Sequence, residues 1–406
     1  MSGIVSIRAE PGLEGLAELA RLSLDGSNEA VERILSLARA ALDMDVAVIG
    51  SFDGDFVVRA VDGEHEWFDL EPGSRFPTEQ TYCRRMIQGK LPHLVRDTAD
   101  DLRTADLPLT REAGIGAYIG VPIRLWDGTL YGTLCCLSRA TEPSLNERDV
   151  RFLRVLAEIV ADQLDRAQSE TEKRRLEWSR IRTLLDDGGL DVEFQPVFDL
   201  NDCRIVSLEA LARFWTEPMR PPSAWFAEAD EVGLGTELEL AAISTALVRL
   251  ADFPPDVALA INVSPSAAID RRFSDLLLEV ADRLVIEITE HAQVDDYDAL
   301  RSALAPLRDR GAQLAIDDVG AGFANLRHIL RLAPDIVKLD LSLTQEIARD
   351  PARKALAMSL VDFADGVGAS IVAEGISSDE DLTLLRALGV AYGQGFYLAR
   401  PSALLH

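Results

Sequence analysis

Apolar and polar positions recur with different periods along this chain, and the changes of period divide it. Within residues 29–42, Val31, Ile34, Leu35, Ala38 and Leu42 stand at steps of three and four, which predicts a helix with one apolar face. Two runs of strand character follow, 46–52 and 56–61, so a helix leads into a hairpin. Further on, residues 117–125 and 129–138 flank Trp126-Asp127-Gly128. An Asp-Gly step turns antiparallel strands readily because glycine tolerates positive φ. The chain up to about residue 145 therefore reads as an α+β domain, an antiparallel sheet with flanking helices.

No proline or glycine interrupts residues 145–185. There Leu153, Leu156, Val160, Leu164, Ala167, Thr171, Arg174, Trp178, Ile181 and Leu185 keep steps of three and four, the seam of an amphipathic helix or short coiled coil. The seam turns polar at Thr171 and Arg174, so two readings stand side by side. One is a connecting helix; the other is a domain-terminal helix followed by a solvated linker.

Beyond Gly189 strands and helices alternate. Apolar strand-like runs end at Phe198, Leu208, Ile261, Ile286, Ile316, Val337, Val372 and Leu398, most of them separated by enough residues for a helix. This predicts an α/β fold, a (β/α)8 TIM-like barrel. The return from Phe198 to Ile205 through Asn201-Asp202 is too short for a helical crossover, so one antiparallel strand is expected near the barrel's start.

A length of 406 residues suits two domains of ordinary size, at roughly 100–200 residues each. The expected division is a first domain at 24–168, a connecting helix at 169–188 and the barrel at 189–406. With 48% hydrophobic and 27% charged residues the chain is neither wholly disordered nor collagen-like. No apolar run approaches the roughly 18–20 residues of a membrane span. The N-terminal MSGIVSIRAEPGLEG lacks the basic-then-apolar order of a signal peptide, so a cytoplasmic protein is expected. The net charge of -27 repels polyphosphate backbones, which argues against DNA as a partner. A small anionic ligand stays compatible, because a bound divalent metal reverses the local field. Cys83, Cys135, Cys136 and Cys203 show no CxxC spacing and are read as buried thiols.

In a (β/α)8 barrel the active site lies at the C-terminal ends of the strands. The residues there are Glu209, Asn262, Glu287, Asp317-Asp318, Lys338, Glu374 and Gln394. One carboxylate at a strand end is unremarkable, but several converging on one mouth repel one another unless cations lie between them. Oxygen donors without paired His or Cys favour hard ions, Mg2+ or Mn2+ over Zn2+. In the adjacent pair Asp317-Asp318 one carboxylate can bridge two metals while its neighbour reaches only one, the layout of two-metal phosphoryl hydrolysis, and Lys338 would hold the water or act as a fixed cation. The residues alone thus point to a metal-dependent phosphoesterase.

At these same residues the sequence resembles the EAL-domain cyclic di-GMP phosphodiesterases. The likeness runs from Glu193 to Pro401: FQPVFDL, then Glu209-Ala210-Leu211-Ala212-Arg213, Asn262-Val263-Ser264, Glu287-Ile288-Thr289-Glu290, Asp317-Asp318-Val319-Gly320, Lys338-Leu339-Asp340, Ala373-Glu374-Gly375 and Gln394-Gly395-Phe396. It implies hydrolysis of cyclic di-GMP to linear pGpG with two Mg2+ or Mn2+ ions per barrel, in a homodimer. Glu209, Asn262, Glu287 and Asp317 would bind the first metal, with Asp317 bridging to a second held also by Asp318. Lys338 would position the nucleophilic water, Glu374 would lie close to the metals or their waters, and Gln394 would order the water network. Arg213 would contact a substrate phosphate, and Gln195 and Gln394 also take substrate-binding positions. Glu290 would steady the regulatory loop after Asp318, at the face where such domains pair. In that loop Val319 replaces the usual aromatic and Ala321 the usual Thr, and Ser377 stands where a Glu is frequent.

Three rival functions follow from the same residues: a non-catalytic cyclic di-GMP receptor, a phosphodiesterase preferring linear pGpG, and an interaction scaffold with a vestigial site. Arg213 has a structural alternative as an ion-pair partner, and Glu290 as a strand-end carboxylate. Asp335 and Asp340 are read as turn or cap residues, and His291 and His328 as surface or satisfied histidines.

The first domain resembles a GAF sensory domain in Tyr82-Cys83-Arg84, Leu91-Pro92-His93-Leu94-Val95, and the pair 118–123 and 131–134. It implies a sensor for an unidentified small ligand or cue. An NKFDE-type signature is missing, and no His follows Cys83 or Cys135-Cys136, which disfavours cyclic nucleotides and bilins. His65 and His93 are read as loop residues rather than heme ligands, and a redox role for Cys83 is the weaker reading.

Overall fold

The structure, a computed structural model, describes residues 28–68, 70–289, 294–320 and 325–403. Contacts divide the chain after Lys173 into two compact units.

The first unit is built on six antiparallel strands: β1 (Val46–Asp53), β2 (Asp55–Gly63), β3 (Arg75–Phe76), β4 (Leu94–Val95), β5 (Ala117–Arg124) and β6 (Leu130–Ser138), in the order β3-β2-β1-β6-β5-β4. The expected Asp-Gly turn joins β5 to β6, with Gly128 at φ 84°. Strand alternation splits the core in two. On one face Ala47, Ile49, Ile119, Leu134 and Cys136 pack with Ile34, Leu35 and Leu42 of the helix Asn28–Leu42 and with Leu153, Leu156 and Val160. On the other, Val46, Val48, Tyr118 and Cys135 pack with Tyr82, Cys83 and Met86 of the helix Tyr82–Ile87.

A single helix runs from Glu147 to Asp187. Asn146 starts it by accepting the Arg148 N–H through its side chain, while Asp149 returns the bond to the Asn146 N–H. Gly188 at φ 88° ends it, a backbone state that glycine adopts without strain.

The second unit is a closed barrel. Its strands are β7 (Leu190–Asp199), β8 (Ile205–Phe214), β9 (Ala258–Asn262), β10 (Leu284–Thr289), β11 (Gln313–Val319), β12 (Ile336–Leu339), β13 (Ser370–Ala373) and β14 (Tyr392–Gly393). Strand β7 runs antiparallel to both β8 and β14, and every other pair is parallel, so the single reversed strand expected from the short turn is present. The sequence places the last strand-like run too late: the strand is Tyr392–Gly393, and Leu398 lies in the turns after it. Phe194 instead exchanges backbone hydrogen bonds with Ser402, so the segment past Leu398 ties back to β7. No described helix is long and apolar enough to cross a membrane.

Candidate functional site

Period-two alternation along the barrel strands decides which residues meet. Leu259, Ile261, Ile286, Leu314 and Ile316 join the large core under the helices, whereas Ala260, Val285 and Ala315 form a separate small cluster with Ala258 and Ile336. That second set faces the barrel axis, and one step of two further on brings Asn262, Glu287, Asp317 and Lys338 onto the same face at the C-terminal ends. Glu209 joins them from β8, paired in register with Gln195 on β7 and Ala260 on β9. Small residues below leave room for charged ones above.

Lys338 stands at the centre, 1% exposed. Its Nζ lies 2.8 Å from Glu287 Oε2, 2.9 Å from Glu374 Oε1, 3.1 Å from Asp317 Oδ1 and 3.4 Å from Glu209 Oε2. Asn262 Nδ2 donates to Glu209 Oε1 at 3.1 Å, and Gln394 Nε2 donates to Glu209 Oε2 at 2.7 Å and Glu374 Oε1 at 2.9 Å. Burial drives Glu287 well above the ordinary carboxylate range, Lys338 opposing and the neighbouring carboxylates adding. Burial likewise pushes Glu374 up to about 8. Burial acts on Glu209 too, but Lys338, Gln394 and Asn262 together outweigh it and hold that carboxyl low. Burial alone would lower Lys338, yet four surrounding carboxylates carry it well above its usual value.

Asp317 keeps the alternation and Asp318 departs from it. Ile316 pairs with Val337 but Val319 with Leu339, so β11 carries one extra residue at this point, and Asp318 adopts φ 60°. A bulge of this kind re-aims side chains. Both carboxylates therefore line the same cleft, where Asp317, Asp318 and Glu374 offer oxygens within 4.8 Å of one another, as Glu209, Glu287 and Asp317 do. Asp317 belongs to both sets. The donors are all oxygen, and the buried Gln394 Oε1 has no hydrogen-bond partner among the described residues. This chemistry fits hard divalent cations.

The cleft above the cluster has a volume of about 380 Å³ and is lined also by Gln195, Leu341, Gln345 and Phe396. Gln195 donates to the Ala399 carbonyl at 3.3 Å. Arg213 lies elsewhere: it lines a neighbouring cleft with Asn262 and Glu239, and its Nε donates to Glu193 at 2.8 Å. Thr344, which sequence patterning does not reveal, donates its hydroxyl to the Glu374 carbonyl. Its only signal is its place after Lys338-Leu339-Asp340, where Asp340 caps the short helix Leu341–Thr344. Asp335 accepts the Leu314 N–H and pairs with Arg308, long-range contacts rather than the turn or cap role expected, and buried His328 meets Tyr297 Oη at 3.0 Å, as a satisfied histidine. Val319 is buried behind the site, and Ser377 lines the cleft while bonding Asp381. Glu290, His291 and Ala321 lie outside the described residues.

These charges set a pH dependence. Unfolding the metal-free chain returns Glu374 from about 8 to its ordinary 4.5, releasing a proton across that interval, and Glu287 acts in the same direction. Glu209, held low, contributes stability that is complete above its ordinary range and is lost only in acid. The thermal midpoint in chelator is therefore expected to fall between about pH 5 and about pH 8.5, and Mg2+ to flatten that slope by taking the protons' place. A midpoint that rose across this interval would contradict the assignment.

Gly395 supports the same cluster from behind. A Cβ there would collide with the backbone N and O of Ile376, which are held by backbone hydrogen bonds with Gln394 and Tyr397. Gly395→Ala is expected to cost about 1–3 kcal/mol and to displace Gln394, cutting turnover about 10–100-fold. Denaturant titration and steady-state assay read the two effects separately.

The family model described as "EAL domain" matches residues 178–401, and that described as "GAF domain" matches 27–164. The chain is 32% identical over 235 residues to the cyclic di-GMP phosphodiesterase RocR of Pseudomonas aeruginosa, covering 55% of this chain and 60% of that protein. It is 27% identical over 236 residues to the cyclic di-GMP phosphodiesterase PdeR of Escherichia coli, covering 55% and 35%. A solved PaMucR phosphodiesterase complex with c-di-GMP superposes with TM-score 0.50 at 25% identity, covering 56% of this chain and 97% of that one. The chain spans less than two thirds of the length of the curated relatives it matches.

Proposed function

The chain belongs to the EAL domain family, with a GAF domain ahead of the barrel, and on that premise we propose that it is a phosphodiesterase opening cyclic di-GMP to linear pGpG. The observation that carries the reading is Asp317 shared between two sets of carboxylates at the barrel mouth. Glu209, Asn262, Glu287 and Asp317 would hold one divalent ion and Asp317 and Asp318 a second, of the Mg2+ or Mn2+ type. When bound, such ions neutralise phosphate charge and acidify water.

The chain's own residues do the positioning. Lys338 offsets part of the carboxylate charge and directs its ammonium to where the attacking water would stand. Gln394 and Asn262 fix the rotamer of Glu209 through its two oxygens. Gln195 and Gln394 line the cleft that would take the substrate, and Arg213 would reach a phosphate by leaving Glu193. On the same reading, 24–168 senses a small ligand or cue, 169–188 connects, 189–406 carries catalysis, and the loop of Glu290, Val319 and Ala321 regulates it in a cytoplasmic homodimer.

The test is chromatographic: full-length protein with cyclic di-GMP in Mg2+, Mn2+, Ca2+ or chelator. Linear pGpG is expected with Mg2+ or Mn2+ and none with chelator. Binding without product would replace the enzyme with a receptor.

A further inference from the structure

Cys83 and Cys135 are separated by 52 residues in sequence, yet their sulfurs lie in contact, 3.7 Å apart, in the lining of a small cavity in the first unit. Both are buried, at 4% and 3% exposed. The helix Tyr82–Ile87 carries one and β6 the other, so the pairing is a product of tertiary packing. The cavity, about 40 Å³, is otherwise walled by Val48, Phe56, Leu109 and Tyr118, and it has room for a molecule the size of water or hydrogen peroxide. A disulfide needs sulfurs about 2.05 Å apart, so forming one would draw the two about 1.7 Å closer.

The surroundings distinguish the two thiols. Tyr118 Oη donates to Cys83 Sγ at 3.9 Å. The Thr133 hydroxyl, fully buried, has no hydrogen-bond partner among the described residues. The Cys135 S–H contact lowers the Cys83 thiol first; burial opposes it, and the Thr133 and Tyr118 hydroxyls add to the lowering. Cys135 is driven well above the ordinary thiol value by that same contact and by burial. The Tyr118 hydroxyl bonded to Cys83 would steady a thiolate there, so Cys83 is the sulfur suited to attack and Cys135 the one to keep its proton. Cys136, next in the chain, points to the opposite core, where burial pushes it up to about 12.

We propose that Cys83 and Cys135 form a peroxide-sensitive dithiol, closing to an intramolecular disulfide within the GAF domain. The Cys83 thiolate attacks one oxygen of a hydroperoxide; the O–O bond breaks, giving the Cys83 sulfenic acid, and the other oxygen leaves as hydroxide or alkoxide and takes up the proton that the Cys83 thiol gave up, becoming water or an alcohol. Cys135 sulfur then attacks Cys83 sulfur, the S–S bond forms, and hydroxide leaves with the Cys135 proton as a second water. The two sulfurs together lose two electrons and the peroxide gains them.

The test treats the reduced full-length protein with a small excess of hydrogen peroxide, then alkylates it in denaturant and maps the peptides. Two of its four thiols are expected to disappear. The protein should lose the mass of two hydrogens, and the Cys83 peptide should be linked to the Cys135-Cys136 peptide. Cys136→Ser should leave the link intact. Cys135→Ser should stop at a Cys83 sulfenic acid that a 1,3-dicarbonyl probe traps. Full alkylation of Cys83 and Cys135 after peroxide, with oxidation confined to exposed Cys203, would overturn the proposal, as would a link that persists through Cys136 in Cys135→Ser. The unsubstituted protein alone decides the first point, so the result does not depend on a variant folding.

Discussion

Glu209→Ala is expected to lower kcat for cyclic di-GMP by at least about 10³-fold at saturating Mg2+ or Mn2+, leaving a folded barrel. Glu209 is the carboxylate that its neighbours hold ionised: Lys338, Gln394 and Asn262 all act on its two oxygens. Its removal takes one donor from the first cation set and frees the Asn262 and Gln394 amides that it orients. The fold survives because Lys338 keeps Glu287, Asp317 and Glu374, and Gln394 keeps Glu374. The stability cost is about 1–3 kcal/mol, that of stranded amide donors in a half-wet cleft. Steady-state kinetics checks the first figure and denaturant titration the second. Unchanged hydrolysis would remove Glu209 from the mechanism.

Lys338→Met is expected to do two things of opposite sign. Methionine keeps the volume but leaves three buried carboxylates and the partly buried Glu374 without their ammonium, so the metal-free protein should lose about 3–5 kcal/mol of stability. Divalent cations should bind at least as well as before, since a fixed positive charge has left the cluster, and should recover much of that loss. Turnover should nonetheless stay down by at least about 10²-fold, because nothing else among the described residues places a cation among those carboxylates. Calorimetry with and without Mg2+, alongside the chromatographic assay, separates the effects. Restored turnover at saturating metal would reduce Lys338 to a structural counter-ion.

Much of the candidate site is legible before folding because strand alternation is a local rule. Glu209, Asn262, Glu287, Asp317 and Lys338 each end an apolar run, and a parallel barrel brings such ends to one mouth. Other residues escape that rule. Thr344 acts on the Glu374 carbonyl from a separate short helix, which no spacing relates to Glu374. Arg213 follows the Glu209 motif but pairs with Glu193 across the antiparallel β7–β8 ladder, a contact set by register. The apolar run ending at Leu398 is not a strand: the barrel closes on Tyr392–Gly393, and Phe194 takes its further backbone bonds from Ser402.

By itself the amino-acid sequence determined the two-part organisation, the helix and hairpin elements, the reversed barrel strand and an oxygen-rich mouth. All of these rest on short-range regularities: period, turn chemistry, and the identity of the residue that ends a strand. Tertiary structure decided the rest. The extra residue in β11 and the left-handed Asp318 turn two successive carboxylates to one cleft, against the alternation that would send them to opposite faces. The 3.7 Å meeting of Cys83 with Cys135 depends on how a helix seats on a sheet. Both are outcomes of packing, the first set by strand register and the second by a helix on a sheet, and no pattern along the chain encodes them by period alone.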